Sequence, residues 1–270
     1  MRFSVVLPKF PWSACLADLA DCLAHALVDA GHDVHRESVF GAHPGDTEIV
    51  LGAHSGAVTL PSYPVVIYQT EVPGTAWFTP NYNRRLASAL AVWDAAPEFK
   101  TGSAVVEPGL FPSEPAAVTK DIDLLFYGSL SERRMEVLTK IANADLRIEA
   151  HFGVFGAARN ALVDRAKVIV DVKQRAEDPN DKTRTFFLDS RGACVLTEND
   201  ENRFRRLFPH DVVEQCRRLL ADPETRRAHA ASRRAELLPT DVSGAVAALE
   251  ALTWHSAAIP SANGVAHHPV

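Results

Sequence analysis

Short apolar, β-branched runs alternate with amphipathic helical stretches along nearly the whole chain, and prolines at 108, 112 and 115 interrupt the alternation near its middle. Such alternation with short turns predicts parallel sheets covered by helices on both faces. In the first half, residues 3–7 read as a strand stopped by Pro8. A helix follows, with Leu16, Leu19, Leu23 and Leu27 on one face and Gly31 as its stop. Strands are predicted at 32–39, 48–51, 65–68 and 91–93, with a helix at 82–90 before the last of them. Beyond the prolines the pattern restarts. Residues 122–127 form a buried-strand run that ends in Gly128-Ser129, and Ser131 caps a helix to about 141 with Glu132 in its first turn. Strands at 146–150, 168–172 and 194–197 then alternate with helices at 157–166 and 183–190. Helices at 212–220, from 223 to about 238, and at 242–252 close the pattern. The expectation is two Rossmann-like domains facing across a cleft, residues 1–116 and 117–256, with 257–270 as a flexible tail without periodicity. Ligands of such sheets bind beyond the carboxyl ends of the strands, so the functional residues belong in the loops that follow them.

Charge and hydropathy narrow the classes of partner. A net charge of −6 argues against a dedicated nucleic-acid binder. The basic clusters at 203–206 and 217–234 are interleaved with carboxylates at helical spacing and read as solvated faces. No apolar run approaches the length of a membrane span, and Pro8 and Pro11 cut the first apolar stretch too short for a signal peptide, so a cytoplasmic protein is expected. Cys15, Cys22, Cys194 and Cys216 lack C-x-x-C spacing and sit in apolar stretches, as reduced core residues do. His32 and His35, three apart on a predicted strand, point to opposite faces, so no metal site is expected.

Four groups of residues carry chemistry. Gly128 and Ser129, followed by Arg133 and Arg134 at a helix start, suit an anion held by backbone N–H groups, the helix dipole and guanidinium groups; they also fit an ordinary turn with exposed arginines. Phe152, Gly153, Val154 and Phe155 follow a strand and can flank a planar base, or simply plug the core. Lys173, Asp181, Thr183, Arg184 and Thr185 surround a second helix start suited to a diphosphate, or to plain capping. In the first half, His54 and Glu71 follow strands, where a general base belongs. There is no dinucleotide fingerprint, P-loop or serine-hydrolase elbow.

Taken together, Ile122-Asp123-Leu124-Leu125-Phe126-Tyr127-Gly128-Ser129 with Arg133-Arg134 resembles the start of the C-terminal domain of bacterial GT-B glycosyltransferases of the group 1 and CgeB-like type. Residues 152–156 with Arg159, residues 161–168, and residues 216–223 resemble later segments of that group, and residues 67–71 and 91–94 resemble its strand ends in the first half. The resemblance implies a GT-B fold, a UDP-, GDP- or dTDP-linked sugar donor on the C-terminal domain, a small-molecule or peptide acceptor on the N-terminal one, and metal-independent transfer. It implies diphosphate contacts from Arg133, Arg134, Lys173, Thr183 and Arg184, and base contacts from 153–155. If the reaction inverts configuration, Glu71 or His54 would deprotonate the acceptor. The chain departs from the group in carrying Asp171 and Lys173 where Asn and His are usual, and Pro179 and Phe187 where retaining enzymes place a glutamate pair. That departure keeps open a non-catalytic relative that binds a nucleotide-sugar or a partner protein. A sugar-nucleotide epimerase is a third reading.

Overall fold

The computed structural model describes residues 1–112, 115–175, 182–198 and 211–257. The sequence readings that fall on Ser113, Glu114, Asp181, Arg203, Arg205, Arg206 and residues 258–270 lie outside the described residues.

The first half opens with strand β1 (Arg2–Val6), a one-turn 3-10 helix (Ser13–Leu16) and helix α1 (Ala17–Asp29). Leu19, Leu23 and Leu27 are buried along the face of α1 that the leucine spacing marks, and Gly31 follows with φ +85°. Strands β2 (Asp33–Glu37), β3 (Thr47–Val50) and β4 (Val66–Gln69) come next, then α2 (Pro80–Ser88), β5 (Ala91–Asp94) and the two-residue β6 (Ala104–Val105). Helix α2 starts where the Thr79 hydroxyl accepts from the Tyr82 N–H at 3.1 Å and proline takes the first turn. These strands form one parallel sheet in the order β2-β1-β3-β4-β5-β6.

The second half contains β7 (Ile122–Tyr127), α3 (Glu132–Ala142), β8 (Ile148–His151), α4 (Gly156–Arg165), β9 (Ala166–Asp171), α5 (Lys182–Ser190) and β10 (Val195–Thr197). Its parallel sheet runs β10-β9-β7-β8. Ser131 caps α3 as expected, accepting from the Arg134 N–H at 3.3 Å. Helices α6 (Val212–Ala221), α7 (Pro223–Ala235) and α8 (Ser243–Ala257) follow. The expected α/β class with two parallel sheets is borne out.

Both sheets share one topology. In each, the first strand pairs with the second on one side and the third on the other. The chain therefore reverses direction between β1 and β3 and again between β7 and β9, and at such switch points the loops diverge and leave a crevice.

Two features link the halves. The connecting segment is tied to the second: Phe111 N–H donates to Ser190 Oγ at 2.9 Å, and its ring meets Phe187 edge-on at 5.7 Å. Lys120 Nζ donates to the carbonyls of Asp164 and Ala166, both at 3.0 Å. The chain then returns to the first half at its end. Leu110 N–H donates to the Leu238 carbonyl at 2.9 Å and Gly109 N–H to Thr240 Oγ1 at 2.7 Å. Val242, Ala245, Val246 and Leu249 are buried, and α8 packs against β6. The sequence reading placed this helix in the second domain; among its neighbours is β6, the edge strand of the first sheet.

The cysteine expectation needs one correction. Cys22, Cys194 and Cys216 are buried and no disulfide joins the four, but Cys15 is exposed. It sits in the 3-10 turn that leads into the cleft, not in the core.

Candidate functional site

A cavity of about 640 Å³ lies between the two halves, at the carboxyl ends of both sheets. The first half contributes Trp12 after β1, Leu16 and Leu19 at the start of α1, and Thr70, Glu71 and Trp77 after β4. The second contributes Gly128 and Ser129 after β7, residues 152–155 after β8, Arg159 on α4, and Thr183, Arg184 and Phe187 on α5. Its walls are mostly aromatic and aliphatic, with a few convergent polar groups, the usual character of a small-molecule site.

On the second-half wall the turn at Gly128 governs the geometry. Its φ of +142° is one that L side chains rarely adopt, and a Cβ there would lie 3.0 Å from Arg184 Nη1. Glycine is thus what lets the guanidinium approach the backbone. Arg184 is fixed from three sides. It pairs with the buried Asp171 at 3.0 Å, donates from Nη2 to the Tyr127 carbonyl at 2.6 Å, and lies over the Tyr127 ring at 4.1 Å. Asp171 also accepts from Thr197 Oγ1 at 2.9 Å. A guanidinium held this rigidly loses little entropy when it meets an anion.

Arg133 and Arg134 do not line this cavity, contrary to the sequence expectation. Arg133 pairs with Glu198, whose other oxygen accepts from the Lys173 N–H at 2.8 Å. Arg134 donates to the Val172 carbonyl at 2.8 Å and to both the carbonyl and the hydroxyl of Ser129 at 2.9 Å. The physical reason is that the β7–α3 and β9–α5 loops expose backbone carbonyls at the sheet end, which Arg134 satisfies, while the Glu198 carboxylate holds Arg133. Their effect on the cavity is indirect, since Arg134 holds the Ser129 turn that does line it. Lys173 and Thr185 also lie outside the lining, and Thr185 is buried.

The 152–155 loop lines the cavity with all its residues, as expected of a strand-end loop. Phe152 remains nearly half exposed, and Phe155 meets Trp12 of the other half with ring centroids 6.3 Å apart.

On the opposite wall Glu71 and His54 come together. His54 Nδ1 lies 3.1 Å from Glu71 Oε1, and Glu71 faces the cavity while His54 stands behind it. Thr70 Oγ1 donates to the same carboxylate at 3.2 Å. The backbone of Glu71 is clamped by Gln69, which accepts from its N–H at 2.7 Å and donates to its carbonyl at 2.6 Å. Gln69 is in turn fixed by the Tyr82 hydroxyl at 2.8 Å. His54 packs among Phe10, Trp77 and Tyr82. Burial among these rings, and after it the charge of Arg85, lowers its pKa to about 4. At neutral pH the ring is therefore uncharged, with Nδ1 set against the Glu71 carboxylate.

Several cavity residues escaped the sequence reading. Trp12 follows β1, where the strand-end rule could have found it; Trp77 lies eight residues beyond β4 in a longer loop. Asp18 and Phe187 sit on helices and gave no signal. Arg159 is buried, donates to Asp18 Oδ2 at 2.6 Å across the cleft, and stacks over Phe187 at 3.9 Å. Among the described residues the charged ones that line the cavity are Asp18, Glu71, Arg159 and Arg184, two of each sign.

No family model and no curated protein matches the sequence. Among solved structures, the Acinetobacter baumannii MurG structure aligns at 14% identity, covering 93% of this chain and 100% of that one, with a TM-score of 0.37. The spinosyn rhamnosyltransferase SpnG complexed with thymidine diphosphate aligns at 11% identity, covering 92% of this chain and 99% of that one, with a TM-score of 0.36. No helix among the described residues is long and apolar enough to cross a membrane.

Proposed function

We propose that this chain is a GT-B-type glycosyltransferase that moves a sugar from a nucleoside diphosphate to an acceptor hydroxyl or amine. The observation that carries the reading is the facing of two unlike walls across one cavity: Arg184 beside the Gly128-Ser129 turn on one side, and Glu71 backed by neutral His54 on the other. The sequence resemblance of residues 122–134 and 152–168 supports the same reading.

In this mechanism the diphosphate lies against Arg184, Thr183 and the 128–129 turn, and the base, uracil, guanine or thymine, stacks along 152–155. Charge that develops on the leaving diphosphate meets a guanidinium already fixed by Asp171, so little reorganisation accompanies the reaction. Glu71 accepts the acceptor's proton as the nucleophile attacks. Trp12, Trp77, Leu16 and Leu19 make the acceptor wall apolar and aromatic, with Thr70 and Glu71 as its main polar side chains. An acceptor rich in hydroxyls would leave many of them unpaired there, which favours a planar or apolar acceptor with one reactive hydroxyl or amine.

A second reading is a non-catalytic relative that binds a nucleotide-sugar. It is favoured by the pairing of both cavity arginines with carboxylates, Arg184 with Asp171 and Arg159 with Asp18. Calorimetry with UDP, GDP and dTDP, followed by turnover with their sugars and an acceptor panel, separates the two. Arg184→Lys should weaken diphosphate binding by about tenfold through loss of the planar fork. Glu71→Gln should keep binding and slow transfer by at least about a hundredfold. Unchanged affinity in the lysine variant removes the site assignment, and donor binding without transfer or hydrolysis selects the binder.

A further inference from the structure

Strand β2 is the edge of the first sheet, and the chain must pass over β1 to reach β3 on its other side. It does so without a helix between Glu37 and Thr47. Crossovers between parallel strands normally run to a dozen or more residues and usually carry a helix that packs them down. Here side chains from β2 and the crossover itself do that work. His35, His43 and Asp46 come together, with their potential ligand atoms all within 4.8 Å of one another.

The details of the cluster point to a cation. His35 Nδ1 lies 2.9 Å from Asp46 Oδ2, which also accepts from the Ser4 hydroxyl at 2.9 Å. The His35 and His43 rings stack with centroids 3.6 Å apart. His43 Nε2 lies 2.9 Å from Glu37 Oε1, which leaves Nδ1 as the coordinating atom. A carboxylate on the far nitrogen of a ligating imidazole is the usual way such a ring is oriented and made more basic. The second, independent observation is at Asp46. Its side chain has 0% exposure, and its Oδ1 is ion-paired with Arg2 Nε at 3.5 Å. The other oxygen, Oδ2, faces the His35 ring at 2.9 Å and is the one a cation would meet. The two imidazoles are about one-third exposed, so an ion can reach them from solvent.

We propose that His35, His43 and Asp46 bind one divalent transition metal of the zinc class, with Glu37 orienting His43. Two imidazoles and a carboxylate suit zinc rather than magnesium or calcium, which prefer all-oxygen sets. Ligand bonds of about 2.0–2.2 Å require the three side chains to draw in by rotamer adjustments rather than by movement of the strands. None of the three lines the cleft, so the ion would staple the β2–β3 crossover to the sheet and take no part in transfer.

The test is calorimetric titration of the chelator-treated full-length chain with zinc chloride, with magnesium chloride as control. One site for zinc and none for magnesium is expected, with a rise in thermal midpoint on zinc addition. His43→Ala and Asp46→Asn should abolish both effects, and Glu37→Gln should weaken binding by about tenfold. His43 lies in a half-exposed loop, so its alanine variant keeps the test decisive if Asp46→Asn fails to fold. The variants retain the chain's other histidines, including His255, His267 and His268. Zinc binding that persists in His43→Ala, or no saturable zinc binding by the parent chain, would overturn the proposal.

Discussion

In the proposed mechanism Glu71 depends on a ring that does not line the cavity. His54 is held neutral, its pKa pressed to about 4 by burial and then by Arg85, whose guanidinium donates to the carbonyls of Ala53, Ser55 and Val58. The sign of the consequence is definite. Between pH 6.5 and 4 the unfolded chain binds a proton on this histidine that the folded chain does not, so stability falls as pH falls through that window. Denaturant unfolding across that range should show a steeper loss for the parent chain than for His54→Gln, and the imidazole resonance of His54 should titrate near 4. A midpoint near 6.5 would show that the ring is not held neutral by its surroundings. This part of the site was half legible in the sequence: strand-end position marked both residues, but only folding brought Glu71 to the front and His54 behind it. Arg133 and Arg134, expected from the sequence to hold the diphosphate, do not line the cavity. A helix N-terminus with two arginines looks like an anion site, yet nearby carbonyls and Glu198 occupy both side chains.

At the level of elements, the alternation of strand and helix was readable because buried parallel strands and amphipathic helices have different periods. Their boundaries moved by a few residues, and β6, only two residues long, left no periodic trace. The return of the last segment to the first sheet was not readable, since nothing local in residues 238–257 names the partner of their apolar face. The contact is close. A Cβ on Gly109 would lie 2.2 Å from the Leu238 carbonyl oxygen and 2.6 Å from the Thr240 nitrogen, both backbone atoms that cannot swing aside. Gly109→Ala should therefore cost about 2 kcal/mol by forcing the two segments apart. Differential scanning calorimetry should show a midpoint lowered by roughly 4–8 °C. A midpoint within a degree of the parent chain would mean that the crossing is looser than described.

For the molecule as a whole, the Asp18–Arg159 ion pair joins the two halves across the cleft. Trp12 against Phe155 is its apolar counterpart. Asp18→Asn leaves Arg159 buried over Phe187 without its carboxylate, at a cost of about 2 kcal/mol given the partial exposure of Asp18. Amide hydrogen exchange should then rise in α1 and α4, the elements that carry the pair, while the sheets stay protected. Equal protection in both proteins would show that the halves are held elsewhere. The amino-acid sequence alone determined the α/β class with its parallel sheets, because periodicity and turn chemistry are local properties of the chain. Tertiary structure decided which strand-end loops face one another, which arginines reach the cavity and which are held elsewhere, and that Asp18, Arg159, Trp12 and Trp77 line it. Those outcomes depend on contacts between residues distant in the chain, which no local pattern encodes.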